Sequence, residues 1–126
     1  MELEEIRQHC LLKPGVTEDF PFDESVLAFR VMGKIFLLTN IDAYPQSFNV
    51  KCEPELALEL RDQYDAVKPG YHMNKKHWNT ITLDGTVDDA QLTDWIDHSY
   101  ERVAAGLTCA QRDQLKQQTQ GPGLDD

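Results

Sequence analysis

Positive charge is scarce in this chain. Its 126 residues hold 12 lysines and arginines against 22 aspartates and glutamates, a formal net charge of −10. Such a molecule repels nucleic acid at long range, so an anionic ligand has to be met by a local reversal of sign. Cysteine is nearly absent as well. Cys10, Cys52 and Cys109 are odd in number and far apart, which excludes a disulfide framework, a C-x-x-C pair and the usual zinc spacings. Reduced thiols in a cytoplasmic protein are the expectation. Long apolar runs are missing; Ile35 to Leu38 is far too short to cross a bilayer. The Met1-Glu2-Leu3-Glu4-Glu5 start is acidic where a secretory leader is basic and then apolar, which also points to the cytoplasm. There is no Gly-x-Ser-x-Gly nucleophile elbow and no Gly-rich phosphate cradle. Ser99 follows His98, but neighbours on a helix do not face each other. A non-enzymatic protein without a cofactor is expected.

Against this background one stretch inverts the charge. Lys68 to Gly85, KPGYHMNKKHWNTITLDG, carries three lysines, two histidines, an aromatic pair and two asparagines, with no acidic residue between Asp65 and Asp84.

The rest of the chain supplies a scaffold. Leu3, Ile6 and Cys10 share one face of a helix over residues 2–12, which Lys13-Pro14-Gly15 stops. Thr17 to Phe22 is expected to be an extended loop, pinned to the core by Phe20 and Phe22. Val26–Val31 and Lys34–Thr39 form a hairpin around Met32-Gly33, and Ser47–Lys51 a further strand with Phe48 and Val50 inward. Pro54 opens a helix with Leu56, Leu60 and Tyr64 as its buried stripe. Tyr71 to Leu83 is expected to form two strands around Asn74-Lys75, Trp78 to Leu83 being the stronger. Asp88 caps a helix striped by Leu92, Trp95, Ile96, Tyr100 and Val103, ended by Gly106. Thr108 and Gln111 box the start of a short last helix, to about Gln118. The expectation is one α+β domain over residues 1–120, a monomer, with a disordered tail over 121–126. An antiparallel sheet with helices on one face, in the order α-β-β-β-α-β-β-α plus the short C-terminal helix, follows from the hairpins.

Several segments resemble the MmcQ/YjbR family of small bacterial proteins: Lys13-Pro14-Gly15-Val16-Thr17-Glu18, Val31 to Phe36, Pro54-Glu55-Leu56-Ala57 with Leu60-Arg61, Lys68 to Asn79, Leu83-Asp84-Gly85 and Asp97-His98-Ser99-Tyr100. The His-x-Asn-Lys-x-His-Trp core within Lys68–Asn79 is the most specific of them. The resemblance implies an α+β fold of the CyaY or secretion-chaperone type. It also implies a DNA-binding label that rests on the likeness of its strands to a double wing, and it brings no catalytic residues or cofactor.

On this reading DNA is the leading ligand. Lys68, Lys75 and Lys76 would neutralise phosphates, Asn74 and Asn79 would hydrogen-bond phosphates or base edges, and Tyr71, His72, His77 or Trp78 would stack on bases. Lys34 and Lys51 extend the patch if their strands lie alongside. For Trp78 the favoured reading is a core anchor against Trp95, with Asn79 bonded to a loop backbone. A metal held by His72 and His77, with His98, Asp84 or Cys52, is not expected, because a separation of five residues puts strand side chains on opposite faces. The alternative function is a protein-interaction adaptor using the acidic surface or the open sheet face.

Overall fold

A computed structural model describes residues 1–70 and 73–124, with side chains through residue 117. Helix α1 (Leu3–Leu11) leads into β1 (Val16–Asp19), β2 (Val26–Val31), β3 (Lys34–Asn40) and β4 (Ser47–Lys51). Then follow α2 (Pro54–Gln63), β5 (Val67–Pro69), β6 (Trp78–Thr82), α3 (Asp89–Ala105) and α4 (Cys109–Leu124). All strands pair antiparallel in one sheet of order β1-β2-β3-β4-β6-β5. The α+β class and the sheet covered by helices are as expected from sequence.

One strand is new. Residues 16–19 pair with β2, Val16 opposite Val31 and Asp19 opposite Ala28, where an extended loop was expected. The segment VTED has no apolar alternation, because an edge strand needs little: Val16 packs on the core, and Glu18 is held by Arg7 of α1 through two bonds of 2.8 Å. The loop after it also differs from expectation. Phe20 and Phe22 are 47% and 70% exposed and do not pin the loop to the core.

The register assigns the faces. Leu27 and Phe29 of β2, Leu37 of β3, Phe48 and Val50 of β4 and Ile81 of β6 sit in the core under α3. At the Phe29/Arg30 step the β2–β3 register shifts, and both Phe36 and Leu37 are fully buried. A bulge of this kind places consecutive side chains inward. Met32 and Gly33 both take positive φ, 49° and 85°, as a two-residue hairpin turn with right-handed twist requires.

The helices begin where their caps predict. Asp88 accepts from Gln91 N at 2.8 Å, Glu53 accepts from Leu56 N at 2.9 Å, and Thr108 and Gln111 bond each other reciprocally. Helix α4 runs to Leu124, past the end expected near Gln118, so residues 121–124 belong to a helix where a tail was expected; residues 125–126 lie outside the described residues. Upstream, β5 at Val67–Pro69 is the strand that pairs with β6; Tyr71 and His72, where the first expected arm begins, lie outside the described residues, and residues 73–77 form a turn rather than a strand. Pro69 is tolerated there because β5 is the edge of the sheet and its missing N–H leaves no ladder bond unmade.

Trp78 is a further correction. Lys51 pairs with Trp78 and Val50 with Asn79, so Asn79 and Ile81 face the helices while Trp78 and Thr80 face away. Trp78 is half-buried on the open face, and the ring that meets Trp95, at 5.1 Å and 77°, is Tyr64, the residue that caps the end of α2.

Candidate nucleic-acid interface

The loop from Gly70 to Trp78 is tied to the sheet at both ends. Gly70 N donates to Trp78 O at 2.8 Å, and Cys52 N donates to His77 O at 2.7 Å. A Cβ on Gly70 would stand 2.8 Å from the Trp78 Cβ, so only glycine lets β5 approach β6 here. Inside the loop Asn74 is the organiser. Its Oδ1 accepts from Lys76 N at 3.0 Å, and its carbonyl accepts from His77 N and Trp78 N at 3.1 and 3.0 Å. An asparagine that closes its own turn explains the amide at this position without a ligand.

Arg61, on α2, clamps this loop from behind. Its Nε donates to Asn79 Oδ1 at 2.7 Å, and its Nη2 donates to Trp78 O at 3.2 Å and to Lys75 O. Asn79 is 1% exposed, and its Nδ2 donates to Ala57 O of α2 at 3.4 Å. Asn79 was expected in the interface; it is instead a buried bridge between β6 and α2, both ends of its amide engaged. Tyr71 and His72 lie outside the described residues. His77 is half-buried, and its Nδ1 is buried without a hydrogen-bond partner among the described residues.

The remaining candidates are gathered at one end of the sheet. Lys75, Lys76 and Asn74 are exposed on the loop, and Lys68 is exposed on β5 opposite Thr80. Lys51 stands beside Trp78 across the β4–β6 ladder, and Lys34 begins β3 at the same end of the sheet. Lys51, Lys68, Lys75 and Lys76 form no ion pair with any described residue. Of the cations elsewhere, Arg7 pairs with Glu18 and Glu4, Lys13 with Asp97 and Arg30 with Asp19, while Arg102 on α3 and Arg112 and Lys116 on α4 form no ion pair with any described residue. Four lysines without carboxylate partners are thus gathered around Trp78 in an acidic molecule.

The motif Asp97-His98-Ser99-Tyr100 has a different task. Asp97 Oδ1 lies 2.5 Å from Lys13 Nζ and 2.7 Å from His9 Nε2. Burial pushes the Asp97 carboxyl up, but the bonds from Lys13 and His9 outweigh it and hold it below its ordinary range. His98 Nε2 accepts from Glu53 N at 3.1 Å, which requires a neutral ring; burial, then Arg102, keeps its pKa low. Ser99 Oγ accepts from Lys51 N at 2.8 Å and donates to Phe36 O at 2.5 Å. Tyr100 Oη donates to Pro14 O at 2.6 Å, its ring lying edge-on to Phe36 and under Lys13 Nζ. Four consecutive residues thus fasten α3 to α1, the α1–β1 turn, β3, β4 and the start of α2.

Other chemistry finds little support among the described residues. No three histidines, cysteines or carboxylates converge on a metal position. Burial pushes the Cys10 thiol up to about 12 and the Cys52 thiol up to about 11, the reverse of nucleophile activation. The Arg61 clamp and the outward face of Trp78 are the features of this loop that composition alone underrates. The Leu60-Arg61 pair within the family pattern was the signal for the first. The strict alternation of β6 was the signal for the second.

Comparison with known proteins agrees with this architecture. The YjbR family model matches residues 11–102. An uncharacterised protein YbdF of Escherichia coli O157:H7 is 36% identical over 113 residues, 90% of this chain and 91% of that protein. The uncharacterised YjbR of Escherichia coli K12 is 33% identical over 103 residues, covering 82% and 87%. The crystal structure of Deinococcus radiodurans protein DR2400 superposes with a TM-score of 0.84 at 38% identity, covering 90% of this chain and 87% of that one. With the family model spanning most of its length and two relatives above 30% identity over most of both chains, the chain belongs to the YjbR family.

Proposed function

We propose that this protein is a non-enzymatic DNA-binding module of the cytoplasm. The lysine end of its sheet would grip phosphates through Lys51, Lys68, Lys75 and Lys76, with a base laid on the exposed part of Trp78. The observation that carries the reading is the segregation of charge. In a chain of net charge −10, four lysines without carboxylate partners surround one half-exposed tryptophan on an open sheet face. Aromatic stacking with lysine contacts along a backbone suits strands whose bases are accessible. Arg61, Asn74 and Gly70 set the loop's shape and touch no ligand.

Fluorescence anisotropy with labelled single- and double-stranded DNA across a salt series tests this. Four phosphate contacts predict a log–log slope of about −3 to −4 on duplex. Binding should vanish in the Lys75→Glu, Lys76→Glu double variant. Affinity that ignores salt, or survives the charge reversal, refutes the site; no binding at low salt refutes the function.

A further inference from the structure

The opposite end of the sheet carries a second surface. Three connections lie side by side there: residues 20–25 between β1 and β2, 41–46 between β3 and β4, and 83–88 between β6 and α3. They are stitched together. Ile41 N donates to Ser25 O at 2.8 Å, Ser25 Oγ to Asp42 Oδ2 at 2.8 Å, and Leu83 N to Gln46 O at 2.8 Å. Three aromatic rings stand out of this rim into solvent: Phe20 at 47% exposure, Phe22 at 70% and Tyr44 at 99%. They are three of the five large apolar side chains exposed in the described structure, the others being Leu12 and Leu58. Beside Tyr44 opens a crevice of about 600 Å³, lined by Met1, Glu2, Leu3, Leu83 and Asp84 among others, the Met1 ammonium being paired to Asp89 at 3.1 Å. That volume lies within the range of ligand sites.

The charge around the rings selects the occupant. The three connections contain no lysine or arginine, but they hold Asp23, Glu24, Asp42, Asp84 and Asp88. None of these five carboxylates is ion-paired with a described cation. A nucleic acid would be repelled here, and so would the same acidic rim of a second copy. A cationic side chain is favoured twice over, by the carboxylates and by the ring faces. We propose that this rim docks a segment of a partner protein that alternates arginine or lysine with apolar residues. Its cationic groups lie over the exposed rings, and one of them enters the crevice beside Tyr44. The rim is separated from the lysine loop by the length of the sheet and does not depend on DNA binding.

The test uses the full ¹⁵N-labelled chain titrated with a synthetic peptide of three Arg-Leu repeats at physiological salt. The expected shifts concentrate on residues 20–25 and 41–46 and on Leu3, Leu83 and Asp84. Phe22→Ser and Tyr44→Ser leave the net charge unchanged and each should weaken the peptide roughly two- to fivefold, the range for an exposed cation–π contact. Leu58→Ser, on exposed α2 surface, should leave the affinity unchanged. The spectra of the free variants report that the fold is kept. Equal affinity in the ring variants, shifts spread evenly over all acidic surfaces, or no binding would each overturn the proposal.

Discussion

Replacing Ser99 by alanine removes one oxygen and almost no volume, yet it should be among the most damaging small changes in the molecule. Ser99 is fully buried, and its hydroxyl is the partner of both Lys51 N and Phe36 O. These groups sit where β3 and β4 part. Cα pairing between the two strands covers Leu37–Val50 and Leu38–Asn49, so Phe36 and Lys51 lie just beyond the ladder. Without the hydroxyl the buried Phe36 carbonyl loses this donor, and no water can replace it. The Lys51 amide, only partly buried, can recover part of its loss from water. An unsatisfied buried backbone group costs about 1–3 kcal/mol. Two such groups, one discounted for exposure, give about 2–4 kcal/mol, a large fraction of the roughly 5–15 kcal/mol total of a small domain. Urea unfolding followed by tryptophan fluorescence would read this as a lower midpoint at unchanged m-value. A loss below about 1 kcal/mol would refute the reasoning, because the strands would then close without the serine.

Other outcomes follow from the same contacts. Trp95→Ala should cost about 3–5 kcal/mol as a buried aromatic, whereas Trp78→Ala on the open face should cost about half of that; equal losses in paired urea titrations would show that Trp78 is core after all. For Asp97 the folded pKa is depressed, so its clasp on Lys13 and His9 contributes stability above the carboxyl's unfolded pKa, near 4, and loses it as pH falls through the lower folded value. Asp97→Asn should therefore flatten the acid limb of stability below about pH 4, and an unchanged limb in acid titrations of the variant would remove Asp97 from that role. Glu substitution of both Lys75 and Lys76 should abolish salt-sensitive DNA binding while the melting temperature stays within a few degrees, since both side chains are exposed.

Much of the fold was legible because local signals agreed with tertiary need. Asp88 and the Thr108–Gln111 pair announce helix starts by supplying acceptors to amides that have no other partner. The alternation around Phe48 and Val50 sets the inward face of β4. What the sequence hid depends on neighbours distant in the chain. Strand β1 has no apolar period, because an edge strand needs only one inward hydrophobe and a cation from α1. Whether Trp78 or Asn79 points inward turns on the pairing of Val50 with Asn79, and the large aromatic was the natural but wrong choice. Asn79 can be buried only because Arg61, on another element, meets its carbonyl. The lysine patch was visible as composition; its isolation from carboxylates was not, since that needs the ion pairs of Arg7, Lys13 and Arg30 to be known.

The position of β6 between β4 and β5 shapes how the chain is made. Strand β4 ends at Lys51, but the strand that covers its far edge spans Trp78–Thr82, and Ser99, which closes its final amide, arrives later still. At about 5–20 residues per second, a ribosome leaves that edge uncovered for seconds after β4 has emerged. Throughout that interval the nascent hairpin presents an apolar face and a free edge, the combination most prone to pairing with the wrong chain. The acidic residues that crowd the first quarter of the sequence are already outside by then, and their mutual repulsion keeps neighbouring nascent chains apart until β6 slots in.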